Sequence, residues 1–427
     1  MDSSDVVVIG GGTAGAEVAL RAAQSGKNVT LVEAGLVGGE APYLADAPSA
    51  ALIESARLGE SWEQAVTRRD AITSRLDDSA AARRLADAGV TVRRGTATVT
   101  APGEVTFDAG DAAPPFRYKN LVIATGSEPI APPIEGLVDV QPWTTAEALS
   151  GPDLPRRLVV LGGGPSGCEL AQMYASFGSQ VTLAEAEERL LPAEPAFVGE
   201  LLAAALRRSG VDVKLGSAAT KAERVGDGVA VALADGTRIE ADRVLLATGR
   251  RPRLSGLGLD ALGLDSLGAG ELEPGQPIPV DASGKVAEGV WAAGDCTGTG
   301  HTHIAAYTAR VVAANLTGTA SEADYGALPR VVYTAPSVYT VGITEGDGLL
   351  TAAADTGGHV ELYADEESGI LVGAAAIGPG TADWMAEVTL AIRAKVPIAV
   401  LADVVHASEA HGSALEAPLR TLASRTR

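Results

Sequence analysis

One strand–turn–helix–strand pattern occurs twice in this chain. Residues 5–33, DVVVIGGGTAGAEVALRAAQSGKNVTLVE, read as a short apolar strand, a glycine turn, a helix and a second strand closing on Glu33. Residues 157–185, RLVVLGGGPSGCELAQMYASFGSQVTLAE, repeat the pattern and close on Glu185. Each copy carries G-x-G-x-x-G, as Gly10, Gly12 and Gly15 and then as Gly162, Gly164 and Gly167. The first glycine of such a set makes a tight turn. The second lets backbone N–H groups approach a pyrophosphate, and the third permits close helix–strand packing. The terminal acid stands where a carboxylate reaches ribose hydroxyls. A lone glycine motif says little, but here strand, helix, second strand and acid agree. The duplication therefore points to an α/β chain with two Rossmann-like dinucleotide-binding domains. Glu185 favours a free 2′-hydroxyl, hence NADH over NADPH, while the nearby Arg189 keeps NADPH open.

The length of 427 residues exceeds one ordinary domain. A net charge of −21 argues against nucleic acid and anionic membrane surfaces as partners. The two cysteines, Cys168 and Cys296, lie far apart and form no disulfide framework, which fits a reducing cytosol. No apolar run reaches the ~18 residues that a membrane span requires. The opening MDSSD is acidic and leads into a strand, unlike a secretory leader. A soluble, cytoplasmic protein is expected.

Between and after the two units the pattern is mixed. Residues 48–88 read as helical and 89–107 alternate as strands. YKNLVIATGSEP, residues 118–129, is a buried strand ending in Ala124-Thr125-Gly126, and RVLLATGRRP repeats that ending at Gly249. A proline-rich connector, EPIAPPIEG, is expected to cross between domains. EGVWAAGDCTG, residues 288–298, ends a third buried strand at Gly294-Asp295. Residues 322–427 begin as strands and end in helical, alanine-rich sequence.

These features resemble the flavin-dependent pyridine nucleotide-disulfide oxidoreductases, the family of lipoamide dehydrogenase, mercuric reductase and glutathione reductase. VTLAEAEERLLP, RVLLATGRRP, VWAAGDCTG, PRVVYTAPSVYTVGITE and YADEESGILVGAAAIGPGTADWM stand in family order, so the likeness covers almost the whole chain. The resemblance implies FAD on the first unit. Gly10, Gly12 and Gly15 would face its pyrophosphate and Glu33 its adenosine ribose. Gly39 and Gly126 would lie beside it, and Asp295 would bind its ribityl chain. It implies NADH on Gly162, Gly164, Gly167 and Glu185, with Gly249 in the matching loop, and Glu169 near the flavin–nicotinamide contact. It also implies a C-terminal α+β dimerisation domain and a homodimer. The expected boundaries are 1–151 and 276–321 for the FAD-binding domain, 152–275 for the NAD-binding domain and 322–427 for the dimerisation domain. No metal is expected.

The stretch VGGEAPYLADAPSAAL, residues 37–52, departs from the family. The family frame is G-G-T-C-x4-C-x-P-S-K. Gly38-Gly39 and Pro48-Ser49 keep its register, but Ala41 and Asp46 replace both cysteines and Ala50 replaces the lysine. Thiol–disulfide exchange needs a thiolate, which neither Ala41 nor Asp46 supplies. Cys168 and Cys296 are expected to be structural. Asp46 reads either as an acid–base group near the flavin or as a solvated surface acid. Without the lysine, Glu169 is expected to be unpaired, with a raised pKa if buried. The family ends in H-A-H-P-T-x-x-E, and here the chain reads LADVVHASEAHGSALEAPL. An ungapped count matches His406 to the first histidine and puts Ser408 at the catalytic place. Three extra residues put His411 and Glu416 there instead, as an acid–base dyad or as a satisfied interface histidine. His303 is expected to pack near the flavin without a catalytic role.

The leading expectation is an FAD-dependent NADH oxidoreductase passing electrons from the flavin directly to a small acceptor such as a quinone. An alternative is a flavin-dependent dehydrogenase or oxidase tailoring one organic molecule in space freed by Ala41, Ala47 and Ala50. A non-catalytic flavin-binding dimer is a third reading, against which the two complete fingerprints argue. Disulfide or mercuric reduction by the family's cysteine mechanism is not expected.

Overall fold

The computed structural model describes residues 3–107, 115–263, 275–355 and 357–426. The chain forms two compact units. One is Met1–Ile130 with Leu149–Gly151 and Gly249–Ala323, and the other is Ala131–Ala148 with Pro152–Thr248 and Asp324–Arg427.

The first unit is built on a parallel sheet. Its strands run Val90–Arg94, Val29–Glu33, Ser3–Ile9, Phe116–Ile123 and Val290–Ala292 across the sheet. Lys285–Ala287 adds an antiparallel edge, and the Ala97–Ala101/Glu104–Phe107 hairpin joins the Phe116 strand. The valine run in the first strand is buried on both faces, as a central parallel strand requires. Val6 and Val8 pack with Val18, Ala22, Ala309 and Val312 of two helices. Val7 and Ile9 pack on the other face with Val105, Leu121, Ile123 and Cys296. Side chains alternate along a strand, so one apolar tetrapeptide serves both cores. Each such buried side chain contributes roughly 1.5–3 kcal/mol.

The helix Thr13–Gln24 buries Ala14, Gly15, Val18, Ala19 and Ala22 along one stripe and stops before Gly26, where φ is +87°. The helical reading of 48–88 is broken into Asp46–Arg57, Trp62–Ile72 and Ser79–Asp87. Gly59 (φ +69°) ends the first of these. Ser61 starts the next, accepting from the Gln64 N–H while its own N–H donates to the Gln64 side chain.

The second unit repeats the parallel core with Asp212–Lys214, Gln180–Ala184, Arg157–Leu161 and Arg243–Leu246, in that order. A three-stranded antiparallel sheet, Ala219–Val225, Gly228–Leu233 and Arg238–Ala241, stands beside it. Its C-terminal part is a five-stranded antiparallel sheet ordered Pro329–Val332, Ser337–Gly342, Ile370–Gly378, His359–Asp365 and Leu349–Asp355. Met385, Val388, Ile392, Leu401, Leu419 and Leu422 from the following helices share its core. The architecture is thus α/β with two Rossmann-like domains and a C-terminal α+β domain. Among the described residues no helix is long and apolar enough to cross a membrane.

The units depart from the expected boundaries for identifiable reasons. Residues 131–148 fall with the nucleotide domain of the second unit because Trp143 lies on the Arg243–Leu246 strand. The Trp143 N–H donates to Val244 O, and the Leu246 N–H to Trp143 O, both at 2.8 Å. Residues from Gly249 onward return to the first unit because Arg250–Pro252 pairs antiparallel with Ser127–Pro129. The nucleotide domain and the C-terminal sheet form one unit, joined by a bidentate Arg330–Glu194 pair at 2.7 and 2.8 Å. Gln172 adds a two-way amide pair with Ala335 at 2.8 and 2.6 Å.

Candidate flavin and nicotinamide sites

The two glycine turns are the same object built twice. A Cβ at Gly15 would lie 1.9 Å from Gly10 O, and one at Gly167 would lie 1.9 Å from Gly162 O. A Cβ at Gly10 would lie 2.3 Å from Ala124 O, and one at Gly162 would lie 2.3 Å from Ala247 O. Gly10 and Gly162 hold φ of +99° and +108°. Glu33 accepts from the Gly11 N–H at 2.5 Å and the Gly35 N–H at 2.6 Å. Glu185 accepts likewise from the Gly163 N–H and, at 2.8 Å, from the Glu187 N–H. The terminal acid therefore braces its own turn while standing at the end of its strand. Helices Thr13–Gln24 and Pro165–Ser176 start at Gly12 and Gly164 with no side-chain cap. Their first N–H groups are left for an anion, with the positive end of the helix dipole behind them.

In the first unit, further polar groups gather around this turn. Gly39 (φ +77°) lies on it, since a Cβ there would be 2.7 Å from Gly12 Cα, and the Gly38 N–H donates to Gly11 O at 2.8 Å. Asp295 Oδ2 accepts from Ser127 Oγ at 2.8 Å, just beyond Gly126 (φ +71°). Thr125 Oγ1 and Thr299 Oγ1 are buried without a hydrogen-bond partner. Such atoms normally find one, so the Thr125 hydroxyl, beside Gly10, fits a polar ligand on the Gly10–Gly15 turn. In the second unit Ala247 closes over Gly162 as Ala124 closes over Gly10.

Ala41 is half-buried, and its carbonyl accepts from the Ala47 N–H at 2.9 Å. Asp46 is exposed at the first turn of Asp46–Arg57, where a carboxylate favours the helix dipole. This supports its reading as a solvated surface acid. Both cysteines are fully buried, one in each unit. Cys168 Sγ donates to Gly163 O, and Cys296 Sγ lies 3.3 Å from Ile123 O and Ala293 O. Burial, with the Glu169 and Glu185 carboxylates, pushes the Cys168 thiol up. Burial pushes Cys296 up to about 12. A thiol stays protonated and unreactive below its pKa. Neither cysteine is therefore expected to react with a disulfide reagent in the native protein at pH 8, and two thiols are expected to react on unfolding. Rapid native labelling of either would contradict the burial described here.

Two expectations about catalytic groups are corrected. Glu169 is half-buried and accepts from the Tyr333 N–H at 2.7 Å, so it is not unpaired. The donor is a backbone N–H just after the Pro329–Val332 strand. The His411–Glu416 dyad is not formed. Glu416 Oε1 lies 3.5 Å from His406 Nδ1, and its other oxygen accepts from Arg420 at 2.6 Å. His406, with a side chain 8 % exposed, also meets Glu387 at 3.3 Å through Nε2. His411 is exposed at the start of a short 3-10 turn, His411–Leu415, and lines a small cavity with His359 and Trp384. The histidine facing Glu416 is thus the one that the ungapped count aligned first. Ser408 is exposed.

The profile of the pyridine nucleotide-disulphide oxidoreductases matches residues 4–311. The chain is 31 % identical to a mercuric reductase of Shigella flexneri over 441 residues, covering 93 % of this chain and 77 % of that protein. It is 31 % identical to a dihydrolipoyl dehydrogenase of Geobacillus stearothermophilus over 458 residues, covering 97 % and 95 %. It belongs to the pyridine nucleotide-disulphide oxidoreductase family. Among solved structures, the Cu(II) complex of the HOCl-induced flavoprotein disulfide reductase RclA of Escherichia coli superposes with a TM-score of 0.89 at 25 % identity, covering 99 % of this chain and 100 % of that one. LpdA of Mycobacterium tuberculosis shares the fold with a TM-score of 0.85.

Members of this pyridine nucleotide-disulphide oxidoreductase family bind FAD and use NAD(P)H, and both turns fit a dinucleotide. The uncapped helix ends, the open face at Gly164 and the orphaned Thr125 hydroxyl are what such ligands would satisfy. Sequence reasoning missed Ser127 and the Thr125 hydroxyl as members of these sites. It also missed Glu40, whose oxygens meet Arg250 at 2.6 Å and Arg253 at 3.2 Å. A carboxylate where the family frame has threonine was a signal for Glu40. The paired ATGS and ATGR echoes were a signal for Ser127.

Proposed function

We propose that this chain is an FAD-dependent NADH oxidoreductase whose flavin serves a non-disulfide acceptor directly, with quinones as the natural class. The observation that carries this reading is the pair Ala41 and Asp46 at the family's redox-cysteine positions, with both remaining thiols buried elsewhere. FAD, when bound, would supply the two-electron chemistry that links NADH to an acceptor, and the protein would supply its position. The protein's part is to hold two dinucleotides by two matched turns and to leave small side chains, Ala41 and Ala50, where relatives carry larger groups. His406, nearly buried between Glu387 and Glu416, supports a structural role for the C-terminal histidine rather than proton transfer. A reducing, cytoplasmic setting is consistent with two unpaired thiols.

Anaerobic titration with NADH tests this reading. Full loss of flavin absorbance near one equivalent per FAD is expected, because no disulfide stores a second electron pair. Reduced flavin should then reoxidise on adding a quinone and not on adding lipoamide or glutathione disulfide. Turnover with either disulfide would refute the proposal.

We also infer a homodimer formed through the C-terminal domain. Leu390, Val400 and Val405 are 66 %, 56 % and 92 % exposed there, apolar surface that such an interface would cover. Sedimentation at micromolar concentration should give twice the 43.1 kDa chain mass. A monomer would overturn the inference.

A further inference from the structure

We propose that Arg250 is a positioning residue for the flavin, acting on Asp295 through Ser127 and on the Gly39 loop through Glu40. The proposal rests on FAD occupying the first turn.

The two Ala-Thr-Gly echoes of the sequence meet in the fold. Ser127–Pro129 and Arg250–Pro252 pair antiparallel, with Pro252 opposite Ser127 and Arg250 opposite Pro129. The Ile130 N–H donates to Gly249 O and the Arg253 N–H to Gly126 O, both at 3.0 Å. This register lays the Arg250 side chain over Ser127. Arg250 Nε donates to Ser127 Oγ at 2.8 Å, and Nη2 donates to Ser127 O at 2.8 Å and to Glu40 Oε2 at 2.6 Å.

The chemistry fixes the direction of this chain of bonds. A guanidinium only donates and an ionised carboxylate only accepts. Ser127 must therefore accept from Arg250 and give its own proton to Asp295, 2.8 Å away. A serine held this way has one rotamer, and it presents Asp295 with one oxygen already engaged. Ser127 is buried, so water competes little for these bonds.

The other arm of the fork holds the loop. Glu40 directly follows Gly39, which lies against Gly12 of the dinucleotide turn. The second Glu40 oxygen accepts from Arg253 at 3.2 Å. With alanine at 41 and aspartate at 46, no covalent bridge across those positions fixes this stretch. The ionic tie from Glu40 to two arginines is what joins it to the Asp295 side of the unit. One guanidinium thus sets the glycine-turn loop, the Gly126 loop and Asp295 against one another. Lysine, a point charge without a planar fork, cannot span both arms.

FAD removal and re-titration, with visible circular dichroism of the bound flavin, tests the proposal. Arg250→Ala is expected to bind FAD about tenfold more weakly and to change the flavin dichroism. Ser127→Ala should give the same spectral change, and the double variant should lose no more than Arg250→Ala alone, because both cut one pathway. Glu40→Gln should weaken FAD binding less and remove most of its salt dependence. Arg251→Ala, whose partner is Glu128, should match the wild type. Wild-type affinity and dichroism in Arg250→Ala, or losses that multiply in the double variant, would overturn the proposal. If Arg250→Ala fails to fold by far-ultraviolet dichroism, Arg250→Lys decides: an altered flavin spectrum supports the fork, and a wild-type spectrum refutes it. A wild-type protein that binds no FAD would remove the underlying reading as well, and that result is read separately.

Discussion

Gly15→Ala is expected to yield protein without bound FAD, whereas Gly167→Ala should stay yellow yet resist bleaching by NADH. The two substitutions are sterically the same. Each places a Cβ 1.9 Å from the carbonyl oxygen of the first glycine in its own turn, well inside any tolerable contact. The neighbour that must move is backbone, not the end of a flexible side chain. It cannot retreat, because Gly10 and Gly162 already lie against Ala124 O and Ala247 O. The helix must lift from its strand, opening the N–H cradle and the packing beneath it. Val8 Cγ1 is 3.1 Å from the new atom in the first turn, and Ala247 Cβ is 3.3 Å away in the second. Overpacking costs about 1–3 kcal/mol or more where rigid backbone is involved, against a total margin of about 5–15 kcal/mol. The outcomes diverge because the turns belong to different compact units. The ratio of flavin to protein absorbance reads the first, and anaerobic reduction reads the second. Reduction of Gly167→Ala by NADH at wild-type affinity would show that the second turn is not the nicotinamide site.

The parts legible in sequence were those with a local physical cause. A Gly-x-Gly-x-x-Gly turn, an apolar strand before it and an acid after the next strand are all contained in a stretch of twenty-nine residues, 5–33 or 157–185. Both strand–turn–helix–strand units form as read; the bonds that Glu33 and Glu185 accept from the Gly11 and Gly163 N–H groups of their own turns were not part of that reading. What escaped was set by long-range pairing. Whether Glu416 meets His406 or His411 depends on a short 3-10 turn that carries His411 away, which no spacing rule anticipates. Glu169 was expected to be unpaired because the missing lysine was visible and the Tyr333 N–H, 164 residues away in the chain, was not. The domain boundaries shifted for the same reason: Trp143 and Arg250 are each assigned by the strand they pair with, not by the composition around them.

Glu185→Ala should weaken NADH about 10- to 100-fold and shrink the preference for NADH over NADPH. Glu185 is 9 % exposed, at the end of the Gln180–Ala184 strand, and its carboxylate already accepts from two backbone N–H groups. Each carboxylate oxygen has a second lone-pair site, so ribose hydroxyls can be received without releasing the turn. Truncation removes the charged acceptor, typically worth about 1.5–3 kcal/mol in a hydrogen bond, and loosens the Gly163 and Glu187 N–H groups. The effect on selectivity has a different origin. A 2′-phosphate at this strand end would meet Glu185, with Glu187 and Glu188 exposed beside it. The nearby cation, Arg189, has its guanidinium donated to Pro192 O at 2.9 Å. Like charges at short range disfavour NADPH, so the wild type is expected to be reduced by NADH at least tenfold more effectively. Removing one of those charges should recover part of the NADPH rate while lowering the NADH rate. Stopped-flow reduction of the flavin at varied nucleotide concentration separates the two effects. Glu185→Gln keeps an acceptor and loses the charge, so it should restore much of the NADH affinity and still relax the selectivity. An unchanged NADH/NADPH ratio in both variants would confine Glu185 to bracing the Gly163 turn and leave nucleotide choice to other residues.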